Sequence, residues 1–220
     1  MKHEWLINNG SERLILFFAG WGMDARPFQG IESIASDVLV LFGYHEDAPE
    51  AETLATLCAG YARCDVLAWS FGVVMAGQWI ATGAVPVTRA VAVNGTPYPA
   101  HDAWGIPCDL FDATLEQLSD ASLQQFYRRM CGKPEILARF KANAPLRDIN
   151  DLREELIFLR DQPPCLPARF TQSVVSTRDR IIPAGNQQNC WQEMGVPCRT
   201  LEGSHFPFYS ITHWEDLPDA

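Results

Sequence analysis

Along the chain, short runs of uninterrupted apolar residues alternate with stretches of helical character. The runs at residues 14–19 (LILFFA), 38–42 (VLVLF), 65–69 (DVLAW), 89–94 (RAVAVN) and 172–177 (QSVVST) predict strands. They lack the polar alternation of a strand with one wet face, and near-continuous apolar runs mark strands buried on both faces. Residues 5–7 predict an edge strand before them and residues 197–201 another after them. Helices are predicted between the strands, at about 50–62, 71–82 and 184–194. Strands alternating with helices imply an α/β fold, a mostly parallel central sheet flanked by helices.

The alternation breaks once. From about residue 99 to 167 no strand is predicted, while helical stretches fall at about 113–131, 134–142 and 150–161. The segment opens in YPAHDAWGIP and closes in DQPPCLP, two Pro-rich passages suited to turns. It reads as a helical cap inserted into one domain spanning residues 1–220, and that length fits one domain carrying an insertion. Residues 66–88 carry no charge, but Ser70, Gln78, Thr82 and three glycines interrupt them. They read as a buried strand followed by a helix rather than as a membrane span.

Composition narrows the classes. A hydrophobic content of 47% with 20% charged residues is that of a globular protein with a real core. With 17 Lys+Arg against 27 Asp+Glu the net charge is −10, which disfavours nucleic acid as a partner. The seven cysteines (Cys58, Cys64, Cys108, Cys131, Cys165, Cys190 and Cys198) are scattered and never at CxxC spacing. They signal neither a zinc site nor a disulfide framework, and tolerated thiols fit a reducing cytoplasm. MKHEWLINNG lacks the apolar centre of a secretory leader, so a cytoplasmic protein without membrane attachment is expected, with a monomer favoured.

The sharpest chemical signal is Ala68-Trp69-Ser70-Phe71-Gly72, between a predicted strand and a predicted helix. A serine at such a turn is pushed outward at the C-terminal edge of its strand, and close backbone approach demands small neighbours. The same serine could be a plain helix N-cap. As a nucleophile it needs a base and an orienting acid. His205 lies in the loop Glu202-Gly203-Ser204-His205-Phe206-Pro207-Phe208 after the last predicted strand, whereas His3, His45, His101 and His213 lack that setting. Asp179 directly follows the strand at 172–177, where a turn or helix-capping aspartate is the alternative reading. Together the three occur in the order Ser, Asp, His, each just after a strand, the chain order of α/β-hydrolases. The Gly-containing turn Ala19-Gly20-Trp21-Gly22-Met23-Asp24 follows the strand at 14–19. Its Trp21 N–H, with the Phe71 N–H at the helix start, is the expected pair of oxyanion donors.

The stretches AGWGMD, LAWSFGV, STRDRIIP and EGSHFPF resemble the compact pimeloyl-[acyl-carrier protein] methyl ester esterases of biotin synthesis, the BioG type, over nearly the whole chain. Many related hydrolases have His where Ala19 stands and Gly where Ala68 stands. The resemblance implies an α/β-hydrolase fold and hydrolysis of the methyl ester of a pimeloyl chain carried on acyl carrier protein. It implies Ser70 as nucleophile, His205 as base and Asp179 as orienting acid, with no metal or organic cofactor. A broad carboxylesterase or acyl thioesterase would use the same triad, because the cap selects the substrate. A non-catalytic hydrolase-like binding protein is the alternative of another class.

Charge adds one more expectation. Residues 122–160 hold eight Lys/Arg against five Asp/Glu, in a chain that is otherwise strongly acidic. Arg128, Arg129, Lys133, Arg139 and Lys141 are therefore candidates for docking an acidic carrier protein, with a solvated helical face as the ordinary reading.

Overall fold

The computed structural model describes residues 1–45, 51–164 and 169–219. The apolar runs become strands of one seven-stranded sheet: β1 (Lys2–Ile7), β2 (Arg13–Phe18), β3 (Asp37–Phe42), β4 (Arg63–Trp69), β5 (Arg89–Val93), β6 (Gln172–Ser176) and β7 (Cys198–Leu201). Their order across the sheet is β1-β3-β2-β4-β5-β6-β7, with β1 antiparallel to β3 and every other neighbour parallel. β3 is buried along its whole length, while β1 and β7, the two edges, are largely exposed or half-buried. This explains why β1 begins three residues before the predicted strand: Lys2, His3 and Glu4 lie on a solvated edge and form no apolar run.

Six parallel strands bring six C-terminal ends to one edge of the sheet, and the loops leaving that edge carry the candidate chemistry. α1 (Ala51–Cys58) lies between β3 and β4 in the chain, and α2 (Gly72–Ala81) follows β4. Four helices separate β5 from β6: α3 (Cys108–Glu116), α4 (Asp120–Cys131), α5 (Pro134–Ala142) and α6 (Ile149–Arg160). α7 (Ala184–Glu193) and the short α8 (Asp216–Asp219) complete the chain. The expected end of the insertion near residue 167, and Cys165, lie outside the described residues.

The single helical stretch expected at 113–131 is in fact two helices. Ser119 stops the first and caps the second: its Oγ accepts from Ser122 N at 3.3 Å while its own N–H donates to Ser122 Oγ at 2.9 Å. This reciprocal cap uses serine where glutamate is the usual signal, so the break is inconspicuous in sequence. Among the described residues no helix is long and apolar enough to cross a membrane. β4 ends at Trp69 and α2 begins at Gly72, dividing the uncharged stretch as expected.

A cluster of buried aromatics underlies the sheet's chemical edge. Phe17, Phe28, Trp69, Phe206, Phe208 and Trp214 pack together, with Phe17–Phe28 and Phe28–Phe208 centroids 4.8 and 4.9 Å apart, both edge-on. Two of the six come from the His205 loop, so that loop is anchored by core rings on its C-terminal side.

Candidate active site

At the end of β4 the chain reverses so sharply that Ser70 adopts φ +57°, a left-handed conformation costing a non-glycine residue about 1–2 kcal/mol. The turn is held by Ser70 N–H donating to Val93 O and by Val73 N–H donating to Ser70 O. Its tightness explains the neighbouring glycines. A Cβ on Gly72 would lie 2.2 Å from Phe18 O, and one on Gly95 would lie 2.3 Å from Ser70 O. Gly72→Ala should therefore destabilise by about 1–3 kcal/mol, lowering Tm by roughly 2–12 °C in a chain of this size, as thermal denaturation would read. Ser70 does not cap α2, since the helix starts from Phe71 with no side-chain cap. Nor is its hydroxyl open to bulk water: Ser70 is only 5% exposed and faces a cavity of about 510 Å³ roofed by α3 and α4.

The structure brings Ser70, His205 and Asp179 into one hydrogen-bonded line. His205 Nε2 lies 3.0 Å from Ser70 Oγ, and His205 Nδ1 lies 2.7 Å from Asp179 Oδ2. Both the imidazole and the carboxylate are withdrawn from solvent. Asp179 is also the turn aspartate of its alternative reading. Its Oδ1 accepts from Ile181 N and Ile182 N at 2.8 and 3.0 Å, so one oxygen builds the turn while the other meets the imidazole.

Two residues without a sequence motif complete the scaffold. Gln187, fully buried on α7, donates through Nε2 to Asp179 Oδ2 at 2.9 Å and to Ile182 O. Asn94, in a left-handed conformation at the end of β5, accepts from Ser176 N and donates to His205 O at 2.9 Å. Trp69 Nε1 donates to the same His205 carbonyl at 2.8 Å. The histidine loop is also fastened to the insertion: Phe206 N–H donates to Met130 O, and Ser204 Oγ–H to Cys131 O. The turn dipeptide Asn94-Gly95 was the only local hint of any of this.

Both expected oxyanion donors line the cavity with Ser70 and His205. Among the described residues neither the Trp21 nor the Phe71 main-chain N–H makes a hydrogen bond. The Trp21 indole donates to Leu152 O at 2.8 Å and meets the Phe126 ring edge-on, so it forms part of the cavity wall. None of the described cysteines lines the cavity, and burial pushes the Cys131 and Cys190 thiols up to about 12.

The cations of the insertion separate into groups. Arg128 and Arg129 are exposed on α4 and line the cavity, joined by Arg180, which follows Asp179 and which charge counting over the insertion missed. Lys133 borders a smaller groove of about 160 Å³ together with Arg178 and Arg180. Arg139 stacks over the Tyr209 ring at 4.0 Å, and neither it nor the exposed Lys141 lines the cavity. Two other cations are spent internally, Arg147 pairing with Asp151 and Glu155 and Arg153 donating to Leu115 O and Leu118 O, while Arg160 forms an exposed pair with its neighbour Asp161. Among the described residues no group of His, Cys, Asp or Glu is arranged to hold a metal ion.

The fold has known counterparts. The crystal structure of BioG from Haemophilus influenzae superposes with a TM-score of 0.86 at 29% identity, covering 99% of both chains. A carboxylesterase of the thaumarchaeon Nitrososphaera gargenis shares the α/β-hydrolase fold at a TM-score of 0.68 and 12% identity, over 99% of this chain and 91% of that one. A malonyl-[acyl-carrier protein] O-methyltransferase from Bacteroides fragilis is 35% identical over 195 residues, 87% of this chain. The chain spans only 39% of that relative's length. Residues 1–217 match the family described as pimeloyl-ACP methyl esterase BioG, and the chain belongs to that family.

Proposed function

We propose that the chain is a serine esterase that hydrolyses the methyl ester of pimeloyl-[acyl-carrier protein], releasing methanol and the free carboxylate in biotin synthesis. The observation that carries the chemistry is the line Ser70–His205–Asp179, two hydrogen bonds long, facing the cavity. Family membership supports the choice of ester. His205 takes the Oγ proton as Ser70 attacks the ester carbonyl, and Asp179 holds the imidazole and stabilises its cation. The Trp21 and Phe71 N–H groups receive the oxyanion. As the tetrahedral adduct collapses, the bond to methoxide breaks and His205 returns the proton, so methanol leaves. Water, deprotonated by the same histidine, then attacks the acyl-serine and restores the Ser70 hydroxyl. No cofactor enters any step.

Ile106, Leu110, Phe111, Leu118, Leu123 and Phe126 give the cavity an apolar lining suited to the acyl chain. Residues 99–167 act as the cap that selects it. The reading places a monomer in a reducing cytoplasm, where the six described cysteines stay unpaired. The test is incubation with pimeloyl-carrier-protein methyl ester, followed by mass spectrometry. Loss of the methyl group with the thioester intact supports the reading, whereas thioester cleavage makes the chain an acyl thioesterase, and no reaction leaves a binding protein.

Docking of the carrier follows from the same charges. Arg128→Glu/Arg129→Glu should raise KM for the carrier-linked ester by about tenfold and flatten its dependence on salt, because complementary charge speeds encounter and is screened by ions. Turnover of p-nitrophenyl butyrate should change far less. Comparable losses on both substrates would locate the damage in the cavity instead.

A further inference from the structure

We propose that Glu155 is a positioning residue for the oxyanion loop, holding the turn that presents the Trp21 N–H, an inference that rests on the esterase reading above. Glu155 lies on α6, far in sequence from the loop it holds, and is completely buried. Its Oε2 accepts from Gly22 N at 2.9 Å and from Arg147 Nη1 at 2.7 Å, and its Oε1 accepts from Tyr44 N at 3.0 Å. A carboxylate withdrawn from water is costly unless its lone pairs are used, and apolar side chains would join a helix to a sheet more cheaply. What an apolar side chain cannot do is fix the direction of a main-chain N–H.

That direction matters because of where the Trp21 N–H lies. It belongs to the peptide plane between Gly20 and Trp21, whose N–H carries no hydrogen bond among the described residues and whose Gly20 O accepts a long one from Met23 N at 3.4 Å. The planes on either side are both tethered. The one between Ala19 and Gly20 is held by Tyr44 Oη–H donating to Ala19 O at 2.7 Å. The one between Trp21 and Gly22 is held by Gly22 N–H donating to Glu155. Trp21 is gripped a third time through its indole, which donates to Leu152 O one helical turn before Glu155. Gly22, at φ +74°, turns the chain so that its N–H meets α6. Arg147 Nη1 adds a bond to Met23 O at 3.3 Å, so the guanidinium serves the same loop as its carboxylate partner.

The phenol of Tyr44 is held in its donating form. Burial, and after it the charge of Glu155, pushes its ionisation well above the ordinary tyrosine range. Glu155 thus restrains the loop directly through Gly22 and supports the second tether, Tyr44, through that residue's main chain. A preorganised donor is worth most when nothing must reorient as charge develops.

Glu155→Gln is the test, because it keeps the shape but leaves a single acceptor oxygen where three donors, Gly22 N–H, Tyr44 N–H and Arg147 Nη1–H, are now met. With p-nitrophenyl butyrate, kcat should fall about 10- to 100-fold while KM stays within about threefold. Affinity for a trifluoromethyl ketone, which forms an anionic adduct with the serine, should fall by the same factor as kcat. Arg147→Met/Glu155→Met replaces the buried pair with apolar side chains of similar length and should show the same kcat loss, even where the single variant does not fold. Wild-type kcat in either folded variant overturns the proposal, as does a rise in KM at constant kcat. Ser70→Ala run with the same ester separates the two levels. Turnover that survives it defeats the esterase reading, whereas turnover lost there but retained in the Glu155 variants defeats only the positioning role.

Discussion

Ser70→Ala is expected to lower kcat by about 10⁴- to 10⁶-fold, leaving the residual rate that binding and oxyanion donors supply without a nucleophile. The fold should survive, since alanine adopts the same left-handed backbone at φ +57° and the turn's main-chain bonds to Val93 and Val73 do not involve the side chain. A fluorophosphonate should add one label to the wild-type chain and none to the variant, with intact-mass measurement as the readout. Labelling that persists in the variant would assign the nucleophile to another residue. Melting curves of the two proteins should agree within a few degrees, so that lost activity is not lost structure.

Asp179→Asn should be nearly as damaging, at about 10⁴-fold in kcat, and the surroundings of the carboxylate say why. Ile181 N–H and Ile182 N–H both point at Oδ1, so the amide of asparagine must keep its oxygen there. Its NH₂ then takes the place of Oδ2, where it faces two partners that were donors, His205 Nδ1–H and Gln187 Nε2. The imidazole responds by accepting at Nδ1, which puts its proton on Nε2 and aims it at Ser70, the wrong tautomer for a base. Since Gln187 Nε2 also donates to Ile182 O, it cannot flip to relieve the conflict without losing that bond. Steady-state kinetics on p-nitrophenyl butyrate is the check, and activity within tenfold of wild type would move the orienting role away from Asp179.

How far such features can be read from sequence depends on how local they are. β2 to β6 were legible because burial on both faces favours apolar residues at consecutive positions, with only a few buried polar exceptions such as Asp37, Ser173 and Ser176. β1 was only partly legible, since an edge strand in water tolerates Lys2, His3 and Glu4. Ser70, His205 and Asp179 stood out because each occupies a short pattern just after a strand. Asn94, Gln187 and Glu155 did not, because each acts through a buried side chain whose meaning comes from partners that the fold supplies. Glu155, for example, looks like one more acid on a charged helix until Gly22 and Tyr44, 133 and 111 residues away, are placed against it. The charge count over residues 122–160 misled in the opposite direction, since it added Arg147 and Arg153, which are internal fastenings, to the cations that face the cavity.

The bonds from Phe206 and Ser204 to the last carbonyls of α4 divide the insertion for anyone who would redesign it. At that point the insertion is sewn to the loop that carries His205, and a Cβ on Gly132 would lie 2.7 Å from Ser204 Cβ, so the seam has no slack. Among the described residues α3 and the first turns of α4 carry no such stitch to the histidine loop; they lean on the Ser70 turn through contacts such as Phe111 against Phe71. A chimaera that exchanges residues 108–127 for those of another α/β-hydrolase should acquire a new cavity roof while keeping the bonds that hold the His205 loop. One that crosses residues 130–132 should exchange the cavity roof and the mooring of the His205 loop together.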